Sequence, residues 1–315
     1  MKGVPKPGDE SSLPMRMGAA LIGGVKGLGL SKPLLRLVFR QLLFGRSRQR
    51  AFAGYVATEH DVFVATFGKS GTNWMMQIAQ QIAHRGEAEF DHIHDVVAWP
   101  DAPGGMGLSL SNPSPREQSP TGLRVIKTHL ESDLLPYGEK SVYLTIVRDP
   151  KEVLVSSYCF LGGILGVLGH VGIDDWFDLF VAPRGMAVAW ARHTAGFWRW
   201  RERPNALVLD FSEVMTERRR CIERVATVMG VDLSDDQLAR VVERSSFVYM
   251  KAHASQFDPP PTPLSKGGER PQMIRRGKSG ASDELLSRAQ QAAVDRVCQA
   301  ELARLGSDFP YAERF

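Results

Sequence analysis

The chain has 315 residues, a hydrophobic fraction of 43%, and 39 Lys and Arg residues against 35 Asp and Glu. This length suits one large α/β domain, and the net charge of +4 fits a small anionic ligand but is too weak to predict nucleic-acid binding. The cysteines Cys159, Cys221 and Cys298 are scattered and form neither a disulfide framework nor a zinc pattern, so we expect a reducing, cytoplasmic compartment. No apolar run reaches the ~18 residues that a membrane-spanning helix needs.

The residues ahead of the predicted domain divide into two parts. Residues 1–15 are rich in Pro, Gly, Ser and charge, which predicts disorder. Residues 16–60 are expected to form a helical extension, in which the apolar stretch 33–44 is interrupted by Arg36 and Arg40. Two interpretations of this stretch remain open: a basic amphipathic helix at the inner membrane surface, or a helix packed on the domain with its arginines outward.

Residues 61–83, DVFVATFGKSGTNWMMQIAQQIA, predict a strand, a glycine-containing turn and a helix with apolar residues at helical spacing. The N-terminus of such a helix presents unpaired N–H groups and a partial positive charge. Gly68 and Gly71 allow the backbone to approach an anion closely. Side-chain donors are added by Lys69, Ser70, Thr72 and Asn73. The stretch therefore predicts a phosphate-binding loop.

The sequence of this loop distinguishes between two kinds of phosphate site. The common nucleoside-triphosphate loop has Gly, four residues, Gly, Lys and then Ser or Thr. Gly68, Lys69 and Ser70 match its end, but Phe63 stands where the first glycine should be. FGKSGTNW instead resembles the 5′-phosphosulfate loop of the cytosolic-type sulfotransferases, whose signature is close to YPKSGTTW.

That resemblance implies a donor, 3′-phosphoadenosine 5′-phosphosulfate (PAPS), and roles for the loop residues. The 5′-phosphate would be held by Ser70, Gly71, Thr72, Asn73 and Trp74. Lys69 would stabilise the charge that develops on the leaving phosphate oxygen. Trp74 is also a candidate to flank the adenine.

A second match follows the next predicted strand, residues 123–126. In open α/β sheets the ligand crevice lies outside the carboxyl ends of the strands. KTHLESDLLP resembles the family segment KTHLPxxLLP, in which the histidine is the catalytic base, although Glu131 replaces the proline. The resemblance implies that His129 takes the acceptor's proton and that Lys127 assists.

A third match, IVRDPKEVLVSSY, follows a predicted strand at residues 141–147 and resembles the family's 3′-phosphate segment, VRxxxxxxxSxY. Arg148 and Ser156 match its two phosphate ligands. Because Ser156 follows Arg148 by about two helical turns, both can face one site.

Later segments resemble the family's adenine-binding and closing elements. Phe211 falls where the family has a tyrosine near the adenine, and RSSF resembles the HTSF element, which implies adenine contacts for Ser245 and Phe247. MIRRGKSG resembles FMRKGxxGDW, which closes over the 3′-phosphate. The implied ligands there are Arg275, Arg276 and Gly277.

The last segments carry helix signals and one departure from the family. Ser234 and Gln237 form a capping-box pattern. Ala281 and Ser282 replace the Asp-Trp of the family, and Ser282 is predicted to cap a helix that runs to about Leu305.

The resemblance covers roughly residues 62–280 and implies one α/β domain at 61–315, a P-loop-like parallel β-sheet flanked by helices. It implies transfer of the sulfuryl group of PAPS to a hydroxyl or amine. The apolar, glycine-rich residues 162–172 favour a hydrophobic small-molecule or lipid acceptor. No metal is expected, because His92 and His94 have no second ligand cluster and a loop explains them.

Two other functions remain open. A P-loop kinase or triphosphatase would need magnesium-holding residues that the sequence does not identify. A non-catalytic protein that binds PAPS or its product, 3′-phosphoadenosine 5′-phosphate (PAP), is disfavoured because Lys69 and His129 are both present.

Overall fold

The computed structural model describes residues 33, 35–37, 39, 43, 45–102, 107–165, 168, 171–259, 273, 274, 277 and 280–315. Four predictions fall outside these residues: the disorder of residues 1–15, the part of the helical extension at residues 16–32, the position of Arg40, and the phosphate ligands Arg275 and Arg276.

Strands β1 (Asp61–Ala65), β2 (Arg124–Thr128), β3 (Val142–Val147) and β4 (Ala206–Asp210) form a parallel sheet in the order β2-β1-β3-β4. Val62 of β1 is in register with Val125 on one side and Val142 on the other. Every residue of β1 and β3 is buried, as expected of parallel strands that are covered on both faces. The predicted parallel α/β sheet is thereby confirmed.

Helices flank this sheet. Their bounds are α1 Arg46–Arg50, α2 Thr72–Ala83, α3 Ser114–Gln118, α4 Pro150–Ile164, α5 Ile173–Phe180, α6 Met186–Trp198, α7 Phe211–Thr216, α8 Arg218–Val228, α9 Asp235–Arg244, α10 Phe247–Ala252, α11 Ala281–Leu285, α12 Arg288–Arg304 and α13 Tyr311–Arg314. Short 3₁₀ turns lie at Ile93–Asp95, Ser132–Leu134 and Ala254–Gln256.

Two large apolar cores hold these layers together. One core joins β1 and β3 to α2, α8 and α9 and includes Met75, Ile78 and Ile222. The other lies among α4, α5, α6 and α12 around Trp176 and Trp190, both of which are fully buried. Burying one large apolar side chain stabilises the folded state by roughly 1.5–3 kcal/mol. Because the two cores bury many such side chains against the sheet and its helices, they hold in place the strand ends that carry the site.

The C-terminal helical region differs from the prediction. Ser282 does not begin a continuous helix, because Leu286 is extended at φ −111° and ψ 133° and separates α11 from α12. Ser287 caps α12 instead, through a capping box with Gln290. The predicted capping box of Ser234 and Gln237 is present at the start of α9.

Part of the stretch 33–44 packs on the domain. Leu35 and Phe39 are buried, and the Phe39 ring meets the Trp176 ring edge-on at 4.9 Å between centroids. Leu37 is 62% exposed, and Arg36 is also exposed. This arrangement favours the packed interpretation for the buried side of the stretch.

The glycine-rich stretch 162–172 is partly helical, because α4 continues through Ile164. Leu168 and Val171 form an isolated bridge, and the residues around Leu168 lie outside the described part of the chain. No helix among the described residues is both long enough and apolar enough to cross a bilayer.

Candidate active site

The candidate site lies at the carboxyl ends of β1, β2 and β3. The chain adds β2 on one side of β1 and β3 on the other, so the strand order reverses between β1 and β3. Ligands of open α/β sheets bind at such a switch point. Lys69, His129 and Arg148 each follow one of these strands, and the sheet therefore brings them to one edge.

The loop after β1 has an unusual backbone that suits anion binding. Lys69 has a φ of 68°, a left-handed conformation that costs a residue other than glycine roughly 1–3 kcal/mol. Gly71, at φ 101°, precedes α2, and a Cβ there would lie 3.1 Å from the Phe211 ring, so this position requires glycine. The first N–H groups of α2 have no carbonyl partner within the helix and face the loop.

The side chains of the loop are held at its two ends. The hydroxyls of Thr66 and Thr72 are 2.5 Å apart and bind one another. Ser70 Oγ is buried and has no hydrogen-bond partner among the described residues. Asn73 donates to the Phe257 carbonyl at 3.4 Å. The loop thus combines a fixed backbone with a hydroxyl that can still donate to an anion.

The Lys69 ammonium lies at the mouth of this loop. Its Nζ is 3.6 Å from the centroid of the Phe160 ring on α4 and 3.5 Å from Met273 Sδ. Met273 begins the closing segment, by which we mean residues 273–280. Lys69 therefore joins the phosphate loop to that segment.

His129 is presented as a neutral imidazole with a defined tautomer. Its Nδ1 lies 2.8 Å from the Thr66 carbonyl, which can only accept, so Nδ1 carries the proton and Nε2 is the proton acceptor. Burial, followed by the positive charge of Lys127, lowers the pKa of His129 to about 3. The His129 backbone N–H donates to Asp101 Oδ2 at 2.9 Å, which fixes the chain at this point.

Lys127 is buried beside this histidine. Its Nζ lies 3.4 Å from His94 Nε2 and 3.3 Å from the centroid of the Trp99 ring. Burial lowers the pKa of Lys127 to about 7, although the negative charge of Asp101 acts in the opposite direction and raises it. Burial and Lys127 also lower the pKa of His94 to about 3, so His94 is neutral and can accept from the ammonium.

The sequence motifs did not single out His94, Trp99 and Asp101 as site residues. The sequence feature that could have identified them is the density of His, Asp and Trp in FDHIHDVVAWPD. His92, the other histidine of that stretch, caps the short turn Ile93–Asp95. Within the described part of the chain, no group of three or more His, Cys, Asp or Glu residues is arranged to hold a metal ion.

Glu131 replaces the family's proline and makes an ion pair with the N-terminal extension. Arg48 of α1 donates to Glu131 Oε2 at 2.8 Å and to the His129 carbonyl at 3.1 Å. The substitution therefore ties α1 to the segment that carries His129.

Arg148 is anchored from several sides at the end of β3. Its Nη1 donates to the Lys69 carbonyl at 3.0 Å, its Nη2 donates to Glu152 Oε2 at 3.2 Å, and its Cζ lies 4.4 Å from the centroid of the Phe211 ring. The Trp190 indole N–H donates to the Arg148 carbonyl at 3.0 Å. Arg148 is thus positioned between the phosphate loop and α4.

Two consecutive serines on α4 have different environments. Ser156 is half-buried, whereas Ser157 is fully buried and accepts a hydrogen bond from Trp176 at 2.9 Å. Only Ser156 therefore remains on the exposed side of the helix, as its predicted role requires.

The predicted adenine residues lie together on the α9 and α10 side. The Trp74 indole N–H donates to the Ser245 carbonyl at 2.8 Å, and the Trp74 ring meets Phe211 edge-on at 5.6 Å. The Ser245 hydroxyl is buried and donates to the Val241 carbonyl, so it is turned into its own helix. Phe247 is 37% exposed and is available for stacking.

Gly277 of the closing segment lies directly on the Phe247 ring. A Cβ at Gly277 would come within 2.3 Å of that ring, and the φ of Gly277 is 60°, so only glycine fits. Lys251 of α10 donates to the Ile274 carbonyl at 2.8 Å and holds the same segment. The described residues of the closing segment therefore contact both the phosphate loop and the adenine side.

Comparison with known proteins gives concordant matches. A family model described as "Sulfotransferase domain" matches residues 59–306. Sulfotransferase 2A1 of Macaca fascicularis is 28% identical over 265 residues, which cover 82% of this chain and 90% of the relative. Sulfotransferase 2A1 of Homo sapiens is 26% identical over 262 residues, with coverages of 82% and 90%.

Solved structures share the fold. Retinol dehydratase in complex with androsterone and inactive cofactor PAP has a TM-score of 0.65 at 18% identity, and the match covers 85% of this chain and 88% of that one. The mouse sulfotransferase SULT7A1 complexed with PAP has a TM-score of 0.61 at 19% identity, with coverages of 82% and 90%.

Proposed function

Because the chain belongs to the sulfotransferase domain family and is a PAPS-dependent sulfotransferase, we propose that His129 is its general base and Lys69 its leaving-group stabiliser. The observation that carries this assignment is the bond from His129 Nδ1–H to the Thr66 carbonyl, which leaves Nε2 to accept a proton. A general base of this kind contributes typically ~10²- to 10⁴-fold in rate.

The chemistry that these residues support is an in-line displacement at sulfur. PAPS supplies the sulfuryl group. His129 Nε2 removes the proton of the acceptor hydroxyl as the acceptor oxygen bonds to sulfur. Lys69 stabilises the negative charge on the phosphate oxygen when the sulfur–oxygen bond of the donor breaks. Lys127 adds positive charge near the same atoms.

The groups at the proposed donor site have the chemistry that PAPS needs. The buried, unpartnered Ser70 hydroxyl and the N–H groups that begin α2 suit the 5′-phosphate. Arg148 and Ser156 suit the 3′-phosphate, together with Arg275, Arg276 and Gly277 of the closing segment. The adenine would lie among Trp74, Phe211, Ser245 and Phe247, with Ser245 acting through its carbonyl contact to Trp74.

We assign the acceptor to the class of hydrophobic small molecules or lipids that bear a hydroxyl or amine. A 3-alpha-hydroxysteroid sulfotransferase of Cavia porcellus is 26% identical over 258 residues, and a structural relative was solved with retinol and PAP.

We further propose a cytoplasmic location with peripheral contact at the inner membrane surface, which exposed Leu37 and Arg36 support.

Nucleotide titration tests the donor site. In calorimetry without acceptor, we expect PAP to bind roughly 10²-fold or more tightly than ADP, because only PAP carries the 3′-phosphate. Arg148→Ala should remove that preference, whereas Arg304→Ala, a matched loss of an ion-paired arginine on α12, should keep it. Tighter binding of ATP than of PAP would support a triphosphate-binding P-loop instead.

A panel of phenols, alcohols, amines and lipids with radiolabelled sulfur donor would identify the acceptor. Transfer restricted to charged, water-soluble acceptors would contradict the hydrophobic assignment.

Sedimentation with anionic liposomes, compared between the native chain and Leu37→Glu, tests the membrane contact. Equal absence of binding by both chains would contradict the proposed membrane contact.

A further inference from the structure

Glu152, in the first turn of α4, is a buried carboxylate that accepts four hydrogen bonds. Its Oε2 accepts from Arg148 Nη2 at 3.2 Å. Its Oε1 accepts from the backbone N–H of Gly280 at 3.0 Å, and from the backbone N–H and the hydroxyl of Ser282 at 2.9 Å each. The side chain is 6% exposed, so these bonds are shielded from water.

The partners of Glu152 belong to two parts of the site that are distant in sequence. Arg148 directly follows β3, whereas Gly280 ends the closing segment and Ser282 is the second residue of α11. Gly280 has a φ of 97°, the left-handed conformation in which its N–H is directed to Glu152. One carboxylate therefore connects the arginine proposed for the 3′-phosphate with the segment that carries the other proposed ligands.

A buried carboxylate is costly unless donors surround it, and four donors meet that need here. The same bonds constrain the donors. The Arg148 guanidinium donates from Nη2 to Glu152 and from Nη1 to the Lys69 carbonyl. The Phe211 ring lies against the face of the same guanidinium. The orientation of the guanidinium plane thus depends on Glu152.

We propose that Glu152 is a positioning residue for 3′-phosphate recognition, which sets the orientation of Arg148 and is itself held in place by Gly280 and Ser282. This inference rests on the proposed assignment of Arg148 to the 3′-phosphate. Glu152 does not touch the nucleotide, because like charges repel. Its effect reaches the ligand through Arg148, and the bonds from Gly280 and Ser282 fix the carboxylate that orients this arginine.

The position also accounts for the departure from the family after Gly280. Ser282 stands where the family has tryptophan, and here its hydroxyl and its N–H both bind Glu152. Ser282 therefore supplies an anchor for the closing segment, and Ser282→Ala is a milder test than a change at Glu152 itself.

The experiment compares Glu152→Gln, Ser282→Ala and Glu301→Gln by calorimetric titration with PAP and with ADP. Glu301 is a matched control, because its buried carboxylate accepts from Arg192 of α6 and from Arg304 of α12, neither of which belongs to the proposed site. We expect Glu152→Gln to weaken PAP binding by about 10-fold or more and ADP binding by about 2-fold or less, since a tenfold change is the loss of one charge-assisted bond. Ser282→Ala should weaken PAP binding by a smaller factor in the same direction, and Glu301→Gln should leave both affinities unchanged.

Amide hydrogen exchange gives an independent measure. The Gly280 and Ser282 amides should exchange faster in Glu152→Gln than in the native chain, and PAP should protect them less. In steady-state assays the KM for PAPS should rise while kcat changes little, because a positioning residue for the donor's remote phosphate acts on binding.

An unchanged PAP-to-ADP ratio in Glu152→Gln, or equal weakening of both nucleotides, would overturn the inference. If Glu152→Gln does not fold, the ratio in Ser282→Ala decides, and an unchanged ratio there overturns it as well. A native chain that binds ADP as tightly as PAP would instead refute the 3′-phosphate assignment of Arg148 itself.

Discussion

A single main-chain contact defines the tautomer of His129, the proposed general base. The Thr66 carbonyl fixes the imidazole tautomer, and burial keeps the ring neutral, with a pKa of about 3. His129 is therefore held in its unprotonated form in the free enzyme, with Nε2 as the nitrogen that can accept a proton.

We expect His129→Ala to lower transfer by about 10²- to 10⁴-fold, the usual contribution of a general base, while PAP affinity stays within about 2-fold. Single-turnover rates and PAP titration measure the two quantities separately. His253→Ala, a change to a histidine on the α10 side that binds the Tyr249 carbonyl, serves as the control. PAP affinity that falls in step with activity would mean that His129 is structural.

The lowered pKa of Lys127 leads to a prediction about the pH dependence of kcat/KM. Because burial lowers its pKa to about 7, its positive charge is lost as the pH rises through 7 in the free enzyme. If that charge assists transfer, kcat/KM should fall on the alkaline side of about pH 7. Lys127→Arg should move this limb upward, because a guanidinium remains protonated. An alkaline limb at the same pH in Lys127→Arg would assign it to another group.

At the scale of elements, the N-terminal stretch is tied to the domain at two places. Phe39 packs against Trp176, and Arg48 of α1 bonds to Glu131 and to the His129 carbonyl. The extension therefore contributes both to the core and to holding the segment that carries His129.

The buried and exposed positions of this stretch predict different effects. Phe39→Ala should lower the free energy of unfolding by about 3–5 kcal/mol, the usual cost of removing a buried aromatic ring. Leu37→Ala, at a position that is 62% exposed, should change it by less than about 0.5 kcal/mol. Denaturant titration of both variants checks this, and equal small effects would show that the stretch is detached in solution.

At the scale of the whole molecule, the strand order assembles the site. Arg148 and the Lys69 carbonyl are 79 residues apart in sequence and 3.0 Å apart in space, because β1 and β3 are neighbours in the sheet. A ligand that bridges these strands should stabilise the entire fold.

We therefore expect PAP at about 100 times its dissociation constant to stabilise the folded state by about 2.7 kcal/mol. For a chain of 315 residues that corresponds to a rise in melting temperature of roughly 4 °C. His129→Ala should keep this shift, and Arg148→Ala at the same PAP concentration should lose most of it. Thermal scans that show no shift with PAP would contradict the proposed donor site.

Much of the local architecture followed from the sequence alone. Buried apolar runs indicated β1, β2 and β3, the glycine turn before Thr72 indicated the phosphate loop, and Ser234 with Gln237 indicated the start of α9. These features depend on hydrophobic periodicity, capping and backbone conformation, which involve residues close together in the chain. The resemblance to a family then suggested which polar residues belong to the site.

The tertiary structure alone decided the partners of the buried polar groups. Asp101 bonds to the His129 backbone from 28 residues away, His94 meets Lys127 from 33 residues away, and Glu152 binds Gly280 from 128 residues away. A buried charge or N–H needs a partner, but the sequence does not say which one, because that choice depends on which strands and helices become neighbours. For the same reason Ser282, predicted from local propensity as a helix cap, instead became a donor to Glu152.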